Sequence, residues 1–202
     1  MELIVISAPD TVTDEAQIIN RLFGAGLQRF HLRKPGWDID QCTNLITKVD
    51  PAYHHAIVCH QHHRLAKVFE MHYLHYPEKN RIKSDQLKLN IQLKEGYRLS
   101  TSIHDVSDTS SLKHFEYTFL SPVFNSISKP GYQSMLPAGF CLDSNKPGPK
   151  VIALGGVDAS NLTLLKKMNF DGAAVLGAIW QDPKQAVSNF ISIKKQTEQL
   201  NP

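Results

Sequence analysis

The sequence has few of the features that mark secreted, membrane or nucleic-acid-binding proteins. Its three cysteines, among 202 residues, form neither a CxxC pair nor a disulfide framework. No apolar run is long enough to span a bilayer, and the first residues lack the charged segment of a signal peptide. These absences predict a cytoplasmic protein that does not associate with membranes.

Charge of one sign is also scarce. Lysine and arginine number 22 against 19 aspartates and glutamates, which gives a formal net charge of +3. The chain has no dense basic run and no aromatic platform for stacking bases, so nucleic acid is not expected as a partner. Histidine is the unusual residue, because the chain contains ten.

Short apolar runs alternate with amphipathic stretches along the chain. Eight of these runs predict strands, at residues 3–6, 29–32, 56–58, 73–76, 98–102, 117–120, 150–154 and 172–176. Strands that alternate with helices pair in parallel through right-handed crossovers, which predicts a single (β/α)8 TIM barrel over residues 1–202. The structural rival is a doubly wound open sheet, but no G-x-G-x-x-G turn follows the first strand.

The barrel has to be compact, because this fold usually takes about 250 residues. Thr13 and Asp14 are candidate caps for the first helix, and Asp38 for the second. Residues 81–96 have the least clear pattern in the chain, and the helix assigned to them is the weakest of the predicted elements. Residues 129–149 are rich in proline and glycine, so the sixth helix is expected to be shortened or absent.

Glycines follow the last two predicted strands, where barrels of this class recurrently bind phosphate. Gly155 and Gly156 come after the seventh strand, and Leu176 and Gly177 end the eighth. Glycine lets backbone N–H groups approach an anion closely, so these residues are candidates for binding a phosphate. The alternative is that Gly155-Gly156 forms only a turn.

Cations and hydroxyls follow two other strands. Ser126, Ser128 and Lys129 lie after the sixth strand, and Arg33 and Lys34 after the second. Two hydroxyls with an ammonium, or a guanidinium at a strand end, can surround a phosphate or diphosphate. The alternatives are a solvated polar loop and a pair of surface cations.

Histidines end four successive predicted strands, as His31, His60, His75 and His104. If the strand registers are right, the four imidazoles face a common region, where they could bind a transition metal or shuttle protons. The alternative is the polar lining of a wet pocket.

Five segments of the chain carry a resemblance to a known family: FHLRKPG, STSIH, YTFLSPVFNSISK, VIALGGV and GAAVLGAI. In this order they resemble the thiamine phosphate synthase family, which includes thiazole tautomerase relatives. The resemblance implies a transferase of thiamine biosynthesis that condenses hydroxymethylpyrimidine diphosphate with hydroxyethylthiazole phosphate. Thiamine phosphate and diphosphate are the products, Mg²⁺ is the expected cofactor, and no organic cofactor is expected. Whether the barrel forms a homodimer stays open.

The resemblance also assigns roles to residues. Arg33 and Lys129 correspond to groups that hold the diphosphate, and with His104 they are the candidate catalytic residues. The candidate substrate-binding residues are His31, Lys34, His60, Gln61, Asn80, Ser102, Ser126, Ser128, Gly155, Gly156, Leu176 and Gly177.

The sequence departs from the family pattern at the metal. Gln61 and Asn80 stand where the family has carboxylate ligands, so a hard, oxygen-preferring Mg²⁺ loses both. The phosphate end of the site is retained. Three functions therefore stay open: a thiamine phosphate synthase, a thiazole phosphate tautomerase-like relative, and a binding module for a phosphorylated ligand. In the tautomerase-like case His31, His60 or His104 would transfer the proton.

Overall fold

Eight parallel strands pair in sequence order, and the eighth pairs with the first to close a barrel. This is a computed structural model that describes residues 1–125, 136–143, 145 and 148–200. The strands are β1 Glu2–Ile6, β2 Phe30–Leu32, β3 Ile57–Cys59, β4 Tyr73–Tyr76, β5 Arg98–Ile103, β6 Tyr117–Leu120, β7 Lys150–Ala153 and β8 Gly172–Val175. The predicted TIM barrel is confirmed.

Helices of very different lengths surround this barrel. They are α1 Glu15–Gly24, α2 Ile39–Thr47, α3 Arg64–Val68, α4 Glu78–Ile82, α5 Gln86–Lys94, α6 Leu162–Lys167, α7 Gly177–Trp180 and α8 Ala186–Gln199. Short 3₁₀ helices are Pro51–Ala56, Val106–Ser111, Ala159–Asn161 and Pro183–Gln185. No helix in the described ranges is long and apolar enough to cross a membrane.

Helix capping follows the sequence at one predicted position and departs from it at another. Asp38 forms a capping box with Gln41 and starts α2 as predicted. Asp14 precedes α1 in a left-handed conformation with φ 56°, and its side chain makes no capping hydrogen bond. The predicted side-chain cap at this helix is therefore wrong.

The helix after β6 is the element that the sequence predicts to be reduced. The described residues between β6 and β7, which are 121–125, 136–143, 145 and 148–149, contain no helix. After β5 the chain forms only the 3₁₀ helix Val106–Ser111. These reduced connections explain how 202 residues close an eight-stranded barrel.

Alternation along the strands separates two apolar clusters. Phe30 and Leu32 belong to the large cluster that lies between the strands and the helices. Residues at the alternate positions point into the barrel, because successive strand side chains face opposite ways. The interior cluster consists of Ile4, Ile6, Tyr117, Phe119, Ile152 and Ala174. His31 contacts it, with its ring 4.7 Å from that of Phe119.

Charged and aromatic side chains close the N-terminal end of the barrel. The Arg29 guanidinium lies 3.6 Å from a Glu2 carboxylate oxygen and 3.5 Å from one of Glu116. It also stacks 4.0 Å from the centre of the Tyr73 ring. In this fold that end contributes to stability, whereas the opposite end carries the reactive groups.

Candidate active site

Backbone conformation and close packing fix the glycines after β7. Gly155 has φ 93° and Gly156 has φ 66°, which are left-handed values that favour glycine. The loop after β6 lies directly against them, because the Phe124 N–H donates to the Gly155 carbonyl at 3.0 Å. A Cβ on Gly156 would lie 2.5 Å from the Asn125 carbonyl oxygen. Glycine is therefore required at this position.

The amides of these glycines face no backbone acceptor in the described part of the chain. Neither Gly155 nor Gly156 donates its N–H to a described carbonyl, and neither does Gly177, which opens α7. Unpaired N–H groups at neighbouring strand ends are suited to bind an anion. The structure thus places the three predicted glycines at adjacent strand ends with amides able to hold a phosphate.

We expect Gly156→Ala to lower the free energy of unfolding by about 2–3 kcal/mol, because a left-handed backbone and a clash with Asn125 both oppose the methyl group. Gly96→Ala is the matched control: Gly96 has φ +90°, but nothing lies within 4 Å of a Cβ there. The control should lose only about 1 kcal/mol. Urea unfolding measures both, and equal losses would contradict the packing argument.

Arg33 follows β2, and the Ser7 hydroxyl bonds to both polar groups of its backbone. The Arg33 N–H donates to Ser7 Oγ at 2.8 Å, and that hydroxyl donates to the Arg33 carbonyl at 2.9 Å. The side chain is half-buried, and no carboxylate in the described ranges pairs with its guanidinium. An arginine placed in this way is available to an anionic ligand.

Lys34 has a different environment from its neighbour. Its ammonium is fully buried and donates to Glu15 Oε2 at 2.6 Å and to the Asp10 carbonyl at 2.8 Å. It also lies 4.5 Å from the centre of the Trp37 ring. The ammonium is therefore already bound by the protein, and Lys34 holds the segment after β1 against the segment after β2.

Three of the four strand-end histidines meet inside the barrel. One ring nitrogen from each of His31, His60 and His75 lies within 4.8 Å of those of the other two, and all three side chains are buried. His31 Nδ1 is 2.8 Å from His60 Nε2, and His31 Nε2 is 2.6 Å from the Tyr117 hydroxyl. His60 Nδ1 is buried and has no hydrogen-bond partner among the described atoms.

His75 completes the cluster through two serines of β5. Its Nδ1 lies 2.9 Å from Ser100 Oγ and its Nε2 lies 3.0 Å from Ser102 Oγ. Its ring stacks on that of His60, with centroids 4.0 Å apart. A polar cluster of this size is unusual in a barrel interior, which branched apolar side chains normally fill.

The cluster is uncharged at neutral pH. Burial lowers the pKa of His31 and that of His60 well below the ordinary value, and it lowers the pKa of His75 to about 3. Repulsion from neighbouring imidazoles and from arginine contributes to each of these lowered pKa values. The three rings therefore offer lone pairs rather than positive charge.

His104 lies apart from this cluster. Its side chain is 52% exposed, and its Nδ1 is 2.6 Å from the Ser121 carbonyl. A carbonyl only accepts, so Nδ1 carries the proton and donates. Nε2 lies 3.7 Å from a Glu78 carboxylate oxygen. His104 is the one predicted strand-end histidine that solvent reaches freely.

The positions where the resemblance places magnesium ligands hold two amides in different settings. The Gln61 amide bonds to the backbone of Lys34 through both its oxygen and its nitrogen. Asn80 is exposed on α4. Nearby Glu78 contacts Arg81 at 3.4 Å. Mg²⁺ prefers carboxylate and water oxygens, so these residues do not fit the family's metal site.

Some predicted site residues fall outside the residues that the structure describes, and some residues of the site were not predicted. Ser126, Ser128 and Lys129 are not among the described residues. Leu176 is half-buried and packs on the interior cluster. Tyr117 and Ser100, which are direct partners across β5 and β6, belong to the site without having been predicted from the sequence. Their signal was alternation, because they occupy inward positions in register with the histidines.

Comparisons with known proteins give a consistent result. The family model described as thiamine monophosphate synthase matches residues 3–179. A thiamine-phosphate synthase from Lysinibacillus sphaericus (strain C3-41) is 27% identical over 103 residues, which are 48% of each protein, so the match spans about half the length of that relative.

Solved structures extend the similarity over the whole chain. A thiamine phosphate pyrophosphorylase from Bacteroides thetaiotaomicron has 27% identity and a TM-score of 0.74, with 98% of both chains covered. One from Pyrococcus furiosus has a TM-score of 0.79 at 12% identity, covering 100% of this chain and 97% of that one, and shows the fold alone.

Proposed function

Because the chain belongs to the thiamine monophosphate synthase family, a family of thiamine biosynthesis, we propose that it joins hydroxymethylpyrimidine diphosphate to hydroxyethylthiazole phosphate. The products are thiamine phosphate and diphosphate. We further propose that residues 1–202 act as one domain. The observation that carries the reaction is the half-buried Arg33 guanidinium, which has no carboxylate partner in the described chain and lies near the mouth of the barrel.

The reaction places its charge demand on the diphosphate. As the bond from the pyrimidine carbon to the diphosphate oxygen breaks, the diphosphate takes both electrons of that bond and gains negative charge. The thiazole nitrogen then bonds to the same carbon. A guanidinium at the departing oxygens stabilises this charge, and the Ser7 hydroxyl anchors the Arg33 backbone through its N–H and its carbonyl. Lys129 is proposed as the second cation by resemblance.

The thiazole phosphate is assigned to the opposite side of the mouth. The amides of Gly155, Gly156 and Gly177 supply donors at the ends of β7 and β8, and Ser126 and Ser128 are proposed to join them by resemblance. This arrangement puts the two substrates' anionic groups on separate strand ends. Mg²⁺ has no carboxylate set at the family's positions, so no step is assigned to it here.

The direct test combines both thiamine precursors with the protein and follows thiamine phosphate by chromatography. Formation of thiamine phosphate with release of diphosphate is the expected result. Thiamine phosphate that fails to form, under conditions where an established synthase makes it, would overturn the proposal. The assay should be run with magnesium and with zinc, because the metal preference is expected to differ from the family's.

We expect Arg33→Gln to reduce kcat/KM for the transfer about 100-fold, because a preorganised charge at the leaving group contributes about 3 kcal/mol to transition-state stabilisation. Arg98→Gln is the matched control, since Arg98 begins β5 at the opposite end of the barrel and its side chain is 60% exposed. The control should retain normal activity. Equal rates in the two variants would remove Arg33 from the reaction.

A second function is favoured by the histidines and the amides at the metal positions. A relative without synthase activity would bind a phosphorylated thiazole and either move a proton on it or release it unchanged. His104 is the exposed imidazole at the mouth, and because its Nδ1 donates to the Ser121 carbonyl, Nε2 is the nitrogen that can exchange a proton with a ligand. Loss of thiazole phosphate isomerisation in His104→Ala, with calorimetric binding retained, would support this function. Unchanged turnover in that variant would contradict it.

A further inference from the structure

The buried histidine cluster of His31, His60 and His75 has no assigned role in the proposed transfer reaction, and three imidazoles are a ligand set that transition metals take. We propose that these three side chains bind one divalent transition-metal ion, such as Zn²⁺, inside the barrel and beneath the mouth. The proposal goes beyond the synthase function and does not depend on it.

The distances are close to those that coordination requires. Three nitrogens around one zinc ion, each about 2.0 Å from it, lie about 3.3 Å apart in a tetrahedral site. His31 Nδ1 and His60 Nε2 are 2.8 Å apart, and one ring nitrogen from each of the three imidazoles lies within 4.8 Å of the other two. Both ring nitrogens of His75 bond to serines, and its ring stacks on that of His60. Metal binding therefore requires the His75 ring to rotate and to give up one of its serine hydrogen bonds.

The donor set selects the type of metal. Three imidazoles suit zinc, nickel or copper, whereas Mg²⁺ requires oxygen ligands. No aspartate or glutamate of the described chain belongs to the group. The cluster is therefore expected to discriminate strongly against Mg²⁺.

Two hydrogen-bonding features support coordination over simple packing. His60 Nδ1 is buried without a partner among the described atoms, so the hydrogen bonds within the cluster do not satisfy all of its nitrogens, and coordination through Nδ1 would satisfy this one. Buried polar groups of this kind normally have partners. Tyr117 can accept a hydrogen bond from His31 Nε2, which leaves the lone pair of His31 Nδ1 directed at His60. Metal-binding histidines typically use their second nitrogen in this way.

Arg33 opposes the metal through its charge. The guanidinium is close enough to lower the pKa of both His60 and His75, so it also repels a dication bound between them. This repulsion predicts that removing the charge strengthens metal binding. The same substitution weakens the proposed transfer reaction, so the two proposals respond in opposite directions.

The test is zinc binding by the full chain without an affinity tag, after treatment with a chelator. Competition with a chromophoric chelator gives stoichiometry and Kd. We expect one high-affinity zinc ion per chain, with binding at least about tenfold weaker in His60→Ala and in His75→Ala. His55→Ala and His104→Ala are matched controls, because both histidines are exposed and lie outside the cluster. Magnesium in excess should not compete.

Two milder variants keep the test valid if an alanine variant does not fold. Tyr117→Phe keeps the ring and removes only the hydroxyl, and it should weaken zinc binding about tenfold. Arg33→Gln should bind zinc at least about twofold more tightly. Circular dichroism confirms that each variant is folded, and Co²⁺ absorption reports tetrahedral nitrogen coordination.

Several results would overturn the proposal. These are no stoichiometric zinc in the wild-type chain, undiminished binding in both His60→Ala and His75→Ala, or loss of the site in His55→Ala. Unchanged affinity in both Tyr117→Phe and Arg33→Gln would also contradict it. None of these measurements uses turnover, so failure of the transfer reaction leaves the metal result interpretable.

Discussion

Lowering the pH from 7 to 5.5 is expected to remove about 4 kcal/mol from the free energy of unfolding of the metal-free protein. The cause is the buried cluster of His31, His60 and His75. An unfolded histidine has a pKa of about 6.5, whereas burial lowers the pKa of His75 to about 3 and lowers that of the other two well below the ordinary value.

The sign follows from proton binding. Between pH 6.5 and the folded pKa values, the unfolded chain binds protons that the folded chain excludes, so acid favours unfolding. Above pH 6.5 the histidines are largely uncharged in both states, so their lowered pKa values do not reduce the free energy of unfolding. As the pH falls from 6.5 toward the folded pKa values, the free energy of unfolding decreases. The slope for one histidine reaches its limit of about 1.4 kcal/mol per pH unit only well below the unfolded pKa. Each histidine therefore lowers the free energy of unfolding by about 1.3 kcal/mol between pH 7 and 5.5.

Urea unfolding at a series of pH values, with a chelator present, measures this slope. His75→Asn should lower the slope by at most about one third, because it removes one of the three lowered pKa values of the cluster while the partly buried His63 also has a lowered pKa. His55→Gln is the control, since His55 is exposed, and it should leave the slope unchanged. A pH-independent free energy of unfolding between 7 and 5.5 would show that the cluster is not buried and uncharged.

The fold was predictable because its signal is local and repeated. Most strands of the barrel are short apolar runs, and α1, α2 and α8 bury one mainly apolar face, so the repeated alternation indicates the topology without any long-range information. The side-chain cap expected at Asp14 failed for a different reason. Its backbone lies in the left-handed region instead of the extended region that a capping residue normally adopts, and its side chain makes no capping hydrogen bond.

The site was only partly predictable. Three strand-end histidines converge because each occupies an inward position. His31 lies opposite Val58 across β2 and β3, and His60, two residues after Val58, points to the same side. His104 does not join them, since it lies beyond the end of β5 and bonds to Ser121. The sequence predicts the same kind of role for Arg33 and Lys34, but these adjacent residues after β2 have different surroundings. One reaches the mouth, and the other is buried.

Lys34→Met is expected to lower the free energy of unfolding by about 3–5 kcal/mol at pH 7, because it leaves the Glu15 carboxylate buried without its partner. The exposed fractions of the two side chains are 0% and 3%. Burial already raises the pKa of Glu15, while the hydrogen bond from Lys34 opposes this rise.

A double-variant cycle isolates the pair. Lys34→Met combined with Glu15→Leu removes both charges and fills similar volume, so it should be far more stable than Lys34→Met alone. In Lys34→Met the Glu15 pKa should rise further, and a protonated carboxyl is cheaper to bury. The stability deficit relative to the wild-type chain should therefore shrink as the pH falls from 7 to 5.5. A deficit that is constant across this range would contradict the account.

The same variants decide what Lys34 contributes to ligand binding. The resemblance assigns Lys34 to the substrate, but its ammonium already bonds to Glu15 and to the Asp10 carbonyl. The double variant, once folded, should therefore bind inorganic pyrophosphate as tightly as the wild-type chain, whereas Arg33→Gln should bind it about tenfold more weakly. Calorimetry at pH 7 measures both affinities. Weaker pyrophosphate binding in the folded double variant would show that Lys34 leaves its ion pair to reach the ligand, and it would restore the role that the sequence suggested.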